Sequence, residues 1–225
     1  MLLFVEAQTP PPTDATAKTE ALLREAIAQN PNDATALTKL GLLETTRLRG
    51  NVDEVRAEAE PLIERALALR EQDPAAATSD YALTLEAEAR VLREVGREAD
   101  AAPLATHASS LRKESVHSMS AAQDSGEQIY KVNPREGVSA PAVVQKTDPE
   151  YAESARLAKW SGSVLLSVVV GSDGTPREVA LVRGIGFGLD EKAAEALLKW
   201  HFKPATMNGQ PVAVRAQVEI NFRLL

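Results

Sequence analysis

The stretch Pro211-Val-Ala-Val-Arg-Ala-Gln-Val-Glu-Ile-Asn-Phe-Arg-Leu224 decides the fold of the C-terminal half of this 225-residue chain. Val212, Val214, Ala216, Val218, Ile220, Phe222 and Leu224 fall on one side, while Arg215, Gln217, Glu219, Asn221 and Arg223 fall on the other. A period of two held this long describes a strand with one face on a core and one in water. Asn208-Gly209 just ahead is a turn signal. Working outward, Asp190 is placed to cap a helix whose apolar stripe is Leu189, Ala193, Leu197 and Trp200. Two β-rich runs, 163–170 and 177–183, flank the turn signal Ser172-Asp173-Gly174. Pro149 opens a helix expected over 150–159, with Tyr151, Ala155 and Ala158 on one side. The order helix, strand, strand, helix, strand predicts a three-stranded antiparallel sheet covered on one face by two helices. Two short extended pieces precede it, 127–132 and 138–144, and Pro141 places the second at an edge.

The other half reads differently. Apolar positions recur at helical spacing over Asp14–Gln29, 34–48, 53–71, 80–95 and 98–116, so five helices are expected. Asn30-Pro31 stops the first, Asp33 caps the second, and Pro61 and Pro103 complicate the third and fifth. The fold class is therefore α+β, with residues 14–117 helical, 118–137 a linker containing the polar run SMSAAQDSG, 138–225 the α+β domain, and 1–13 a leader. Within that leader, the apolar residues 1–5 followed by Val5-Glu6-Ala7 fit the end of a secretory signal, and fit an ordinary frayed terminus as well.

Composition narrows the function. Residues 1–127 carry 13 Lys+Arg against 22 Asp+Glu, whereas residues 128–225 carry 12 against 10. This acidic chain has no electrostatic footprint for nucleic acid. There is no cysteine. His107, His117 and His201 stand apart, so no metal site, cofactor site or nucleophile–base constellation is expected. Gly184-Ile-Gly-Phe-Gly188 lacks the glycine spacing of a dinucleotide loop. No apolar run is long enough to span a bilayer.

Two resemblances follow from quoted residues. Ala34-Thr-Ala-Leu-Thr-Lys-Leu-Gly41, with Leu37, Leu40 and Gly41 at packing positions and Ala59, Ile63 and Ala66 on the next helix, resembles a tetratricopeptide repeat. A second such unit runs through Leu85, Ala89, Leu92 and Gly96, then Ala101, Ala105 and Ala108. Glu44 and Glu88 stand where that family is usually apolar or aromatic, and a generic alanine-rich bundle fits the same pattern. The resemblance implies a groove lined by Thr35, Thr38, Leu42 and Thr45, then Leu83, Glu86, Arg90, Arg93 and Glu94, with the arginines able to pair with a partner carboxylate.

The second resemblance covers the C-terminal domain along its length. Asp148-Pro-Glu-Tyr-Ala-Glu-Ser-Ala-Arg156, Gly162-Ser-Val164, Asp173-Gly174, Gly188-Leu-Asp190, Lys199-Trp-His-Phe-Lys-Pro-Ala205, Asn208-Gly-Gln-Pro-Val212 and Asn221-Phe-Arg-Leu224 together resemble the C-terminal domain of TonB-family energy transducers. Ala152 departs from the proline usual after the tyrosine. The resemblance implies a non-enzymatic protein of the periplasm or cell envelope. It implies a last strand at the sheet edge, able to pair with an extended peptide from an outer-membrane receptor or with a second copy as a dimer. The expected recognition surface is Val214, Arg215, Ala216, Gln217, Val218, Glu219, Ile220, Asn221 and Arg223, with Asp148 and Tyr151 nearby.

Overall fold

The computed structural model describes residues 2–9, 14–73, 77–120 and 126–224. Residues 10–13 and 121–125, which hold Pro10–Pro12 and part of the expected linker, lie outside the described residues.

The first half is helical: α1 (Asp14–Gln29), α2 (Ala34–Arg47), α3 (Val52–Glu54), α4 (Glu60–Glu71), α5 (Thr78–Glu94) and α6 (Glu98–Ser118). The Asp33 carboxylate accepts from Ala36 N–H at 2.9 Å and so starts α2. A π-helical turn, Val55–Ala59, joins α3 to α4 directly before Pro61. Proline has no N–H and its ring crowds the carbonyl four residues back, so the wider turn absorbs it without ending the helix. Small residues let the helices close on each other. A Cβ added at Gly41 in α2 would lie 2.3 Å from Ile63 Cδ1 in α4. Both unusual glutamates are buried. Glu44 is held by Arg24 and Arg47, each at 2.6 Å, whereas Glu88 Oε2 has no hydrogen-bond partner among the described residues.

The second half contains β2 (Ile129–Lys131), β3 (Ala142–Gln145), α7 (Glu153–Leu157), β4 (Gly162–Val170), β5 (Pro176–Arg183), α8 (Leu189–Leu197), β6 (His201–Lys203), β7 (Ala205–Met207) and β8 (Gln210–Leu224); the N-terminal segment Leu2–Thr9 forms β1. The sheet corrects the expected three antiparallel strands. It is mixed and six-stranded, running β1-β8-β4-β5 with β2 and β7 also paired to β8, and β3 and β6 form a separate pair. The antiparallel strands β8, β4 and β5 are present, but segments expected to be leader and linker have added to them. Helix α7 also begins later than expected. Ala152 is extended, with φ −62 and ψ 138, because Tyr151 turns inward: its hydroxyl donates to the Trp160 carbonyl and its ring meets Phe222 edge-on at 5.7 Å.

The core beneath the sheet comprises Val164, Leu166, Val168, Val218, Ile220 and Phe222 against Leu189, Ala193, Leu197 and Trp200, all nearly fully buried. It is continuous with buried residues of the helical half, among them Leu42, Ala87 and Val91. One glycine is required by close approach. Gly174, at φ +81, turns β4 into β5, and a Cβ there would fall 2.0 Å from the Phe202 carbonyl oxygen.

Candidate functional site at the rim of the last strand

Strand β8 is the longest strand, and its alternating pattern aims Val214, Val218, Ile220 and Phe222 into the core. One side of its backbone pairs antiparallel with β4, from Gly162 opposite Phe222 to Val170 opposite Val214. The other side was expected to be open, and it is not. β2 pairs with it in parallel at Ala213, Val214 and Arg215. β1 continues in the same direction from Leu2 opposite Gln217, through Val5 opposite Ile220, to Thr9 opposite Leu224. Ala216 falls between these two partners. A row of unpaired N–H and C=O groups is a template for any extended segment, and here two segments of the same chain use it.

The polar face of β8 is tied down as well. Arg215 meets Glu178 at 2.7 Å and Glu219 meets Arg183 at 2.9 Å, both on β5. Ser163 donates to the Asn221 side chain. Gln217 is exposed. Of the two expected flanking contacts, Asp148 is exposed beside Lys146 at 3.5 Å. Tyr151 is buried and does not present its ring to a partner. At the far side of the sheet, the Ser120 hydroxyl accepts from Val179 N–H at 2.8 Å and donates to Val179 C=O at 3.3 Å, closing part of the edge of β5.

The expected groove residues divide. Thr38, Leu42 and Thr45 are buried within the helical half, and the Thr35 hydroxyl accepts from Arg70 at 2.6 Å. Glu86 and Arg90 instead reach the C-terminal half. Glu86 accepts from Phe187 N–H at 2.7 Å and Arg90 donates to the Ala158 carbonyl at 2.7 Å. Arg93 and Glu94 line a cleft between the halves, where Arg93 pairs with Glu98 at 3.2 Å. Glu86 and Arg90, read as part of a partner groove, are therefore taken up by the chain's own second half.

Sequence reasoning missed the group that joins the halves. Arg112, 2% exposed, bridges Glu86 at 2.9 Å and Glu191 at 2.8 Å. Burial acts to lower its pKa, and the two carboxylates outweigh that, so the guanidinium stays charged. Asp190 does not cap α8 as expected: Gly188 is the N-cap, with no side-chain hydrogen bond, and Asp190 lies in the first turn. Its carboxylate accepts from Ile185 N–H at 2.8 Å and Gly186 N–H at 3.1 Å, bracing the glycine loop before it. Burial, offset by the Ile185 hydrogen bond and reinforced by Glu86, pushes its pKa up to about 6. Trp160, exposed, packs against Phe187 with ring centroids 5.0 Å apart and the rings tilted by 52°. Arginine spaced with alanines on one helix face was the available sign of Arg112, but nothing local distinguishes a buried arginine from a solvated one.

Residues 147–224, from just before α7 to the end of β8, match the family model for the Gram-negative bacterial TonB protein C-terminal. That stretch is TonB-like. Among curated relatives, Protein TonB of Vibrio cholerae is 33% identical over 89 residues, which is 39% of this chain and 36% of that protein. Protein TonB of Xanthomonas campestris pv. campestris is 36% identical over 77 residues, 34% of each chain. Protein tonB2 of Pseudomonas aeruginosa is 35% identical over 77 residues, 34% of this chain and 28% of that protein. The chain thus spans about a third of the length of the relatives it matches. The helical half, β1, β2 and β3 all lie outside the TonB-like stretch. Among the described residues, no helix is long and apolar enough to cross a membrane.

Proposed function

We propose that this protein is a non-enzymatic docking protein of the Gram-negative cell envelope, acting in the periplasm in the manner of a TonB-family energy transducer. A partner, such as an outer-membrane receptor, offers an extended segment, and the outer rim of β8 takes it up as an added strand. The observation that carries this reading is the pairing of β1. Eight residues from outside the TonB-like stretch lie along residues 217–224 in unbroken parallel register. Main-chain hydrogen bonds supply affinity in strand addition, and alternate side chains supply specificity. A rim that accepts β1 on those terms can accept a foreign strand, provided β1 leaves. On this reading Val214 to Asn221 and Arg223 form the docking strand and Asp148 borders it. The helical half, whose helices pack in chain order as tetratricopeptide-like hairpins would, is a second scaffold, with Arg93 at its open face.

The test compares the full chain with a version beginning at residue 14, each titrated with a receptor-derived peptide while amide hydrogen exchange is followed. The expected result is protection of residues 217–224 by the peptide, with tighter binding to the shortened chain. Absence of protection in the shortened chain rejects strand addition. A doubled mass of the shortened chain without peptide assigns the rim to a second copy, making the TonB-like fold a dimerising scaffold instead.

A further inference from the structure

Between the helical half and the TonB-like domain lies a cleft of about 830 Å³, lined by side chains of α5 and α6 on one side and by the 158–161 and 184–187 loops on the other. Its charges are unevenly matched. The acids on its wall are engaged: Glu86 by Arg112 and Phe187 N–H, Asp190 by two loop N–H groups, and Glu94 by Arg49 at 3.5 Å. Of the cations, Arg112 and Arg49 are the partners of those acids, whereas Arg90, Arg93 and Lys159 pair with no carboxylate of the wall. Arg90 is only 8% exposed, yet it donates to neutral acceptors alone, the Ala158 carbonyl at 2.7 Å and the Thr46 hydroxyl at 3.2 Å. Burial holds its pKa below the usual guanidinium value, with Glu94 acting to raise it and Arg49 to lower it. Lys159 has no ion pair among the described residues, and Arg93 leans on Glu98, which is not part of the wall.

A buried charge is ordinarily paired, because leaving it without a counterion is costly. Glu94, the carboxylate that acts on Arg90, is already paired with Arg49, so Arg90 marks a place for a further negative group. Beside it stands a flat apolar surface: the Arg90 guanidinium lies 5.8 Å from the Trp160 ring centroid, and the Trp160 indole N–H donates to the Ile185 carbonyl at 2.8 Å, fixing the ring. The backbone around the cleft is also held in an uncommon state. Two of the four described non-glycine residues with positive φ line it, Lys159 at +47 and Phe187 at +54. Such conformations persist only where surrounding structure imposes them, and they gather at binding sites.

We infer that this cleft binds a small organic anion, a carboxylate or phosphate carried on a flat apolar body. The anionic group pairs with Arg90, with Arg93 and Lys159 at the mouth, and the body lies against Trp160 and Phe187. The inference does not depend on the rim of β8, and an occupant here would bear on how the two halves are held together.

The chain has two tryptophans, and Trp200 is buried beneath the sheet, its indole N–H donating to the Thr147 carbonyl. Their indole N–H signals in a nitrogen–proton correlation spectrum report the cleft and the core separately, with W160F giving the assignment. Phenyl phosphate and benzoate are the probes; benzyl alcohol and inorganic phosphate are the controls for body without charge and charge without body. The expected result is a saturable shift of the Trp160 signal alone, with binding by both probes exceeding both controls at least tenfold, and a tenfold or greater weakening in R90Q. If R90Q does not fold, the mouth variant R93Q/K159Q decides, with a threefold or greater weakening expected and the Trp200 signal as the check of folding. A Trp160 signal that does not saturate, or affinities unchanged in the folded variant, overturns the proposal. Equal binding of benzyl alcohol overturns it too, by reducing the cleft to an apolar surface.

Discussion

At the scale of single residues, two positions carry tests of how the chain is packed. Glu88 occupies a buried site in α5, and its pKa is pushed up to about 7, first by burial and then by repulsion from Glu64 and Glu60. The folded state therefore binds its proton more tightly than the unfolded state, whose value is 4.5. Stability from this group is fully present below pH 4.5 and is lost as pH rises toward 7. E88Q should be more stable than the parent by about 1–2 kcal/mol at pH 8 and nearly equal to it at pH 4.5. Urea denaturation at both pH values measures this, and a stabilisation that persists unchanged at pH 4.5 assigns the effect to packing. Gly174 is the second position. The atom that a Cβ would meet belongs to the backbone of Phe202, which cannot rotate away as a side chain can. G174A should cost about 2–4 kcal/mol, combining left-handed strain with displacement of β6. A thermal midpoint equal to wild type would show that the turn yields.

Among the elements, β1 is the one whose removal is most informative. It lies along β8 through main-chain pairing, and its connection to α1 passes through residues outside the described set. A proline at Val5 removes an N–H and is poorly tolerated within a ladder. V5P should raise exchange at those amides of residues 217–224 that face β1, while the amides that pair with β4 stay protected. Where a partner strand competes with β1, its apparent affinity scales with the fraction of molecules whose rim is free, so V5P should bind that partner about tenfold more tightly. Unchanged exchange in V5P would show that the rim of β8 does not depend on β1. The short strand β2 is a different case, because it covers only Ala213, Val214 and Arg215 and leaves the stretch bounded by β1 unaffected.

Considered whole, the molecule is joined across its halves by a continuous apolar core and by polar contacts, among which the buried Arg112 is central. Arg112 bridges Glu86 and Glu191, Lys39 meets Glu153 at 2.6 Å, and Ser120 grips Val179. Removing one partner of a buried charge cluster leaves the rest uncompensated, at a cost of about 3–5 kcal/mol. R112A should therefore be destabilised by that amount and should unfold in two calorimetric transitions where the parent shows one. Neutralising both carboxylates in the same variant, E86Q/E191Q/R112A, should recover part of the loss. A single transition of unchanged midpoint in R112A would show that the apolar core alone couples the halves.

The sequence by itself determined the elements that depend on local pattern. The period of two in β8, the stripe of α8, and the caps and stops of the first helices each follow from a few adjacent side chains. Helices α1, α2, α5 and α6 lie within about two residues of the periodic segments, because periodicity and proline act locally, whereas α7 starts three residues late. The resemblance carried by the motifs from Asp148 to Leu224 was legible for the same reason: each is a short local signature of a turn or an aromatic position. Tertiary structure alone decided what lies beside β8. Backbone N–H and C=O groups are identical in every residue, so no side-chain pattern announces which segment will satisfy a strand's free rim. It alone also placed Glu86 and Arg90 at a seam between halves instead of on an open groove, with Arg112 beside them. A charge's meaning depends on what faces it, and the facing groups here, Phe187, Ala158 and Glu191, are 101, 68 and 79 residues away in the chain from Glu86, Arg90 and Arg112 respectively.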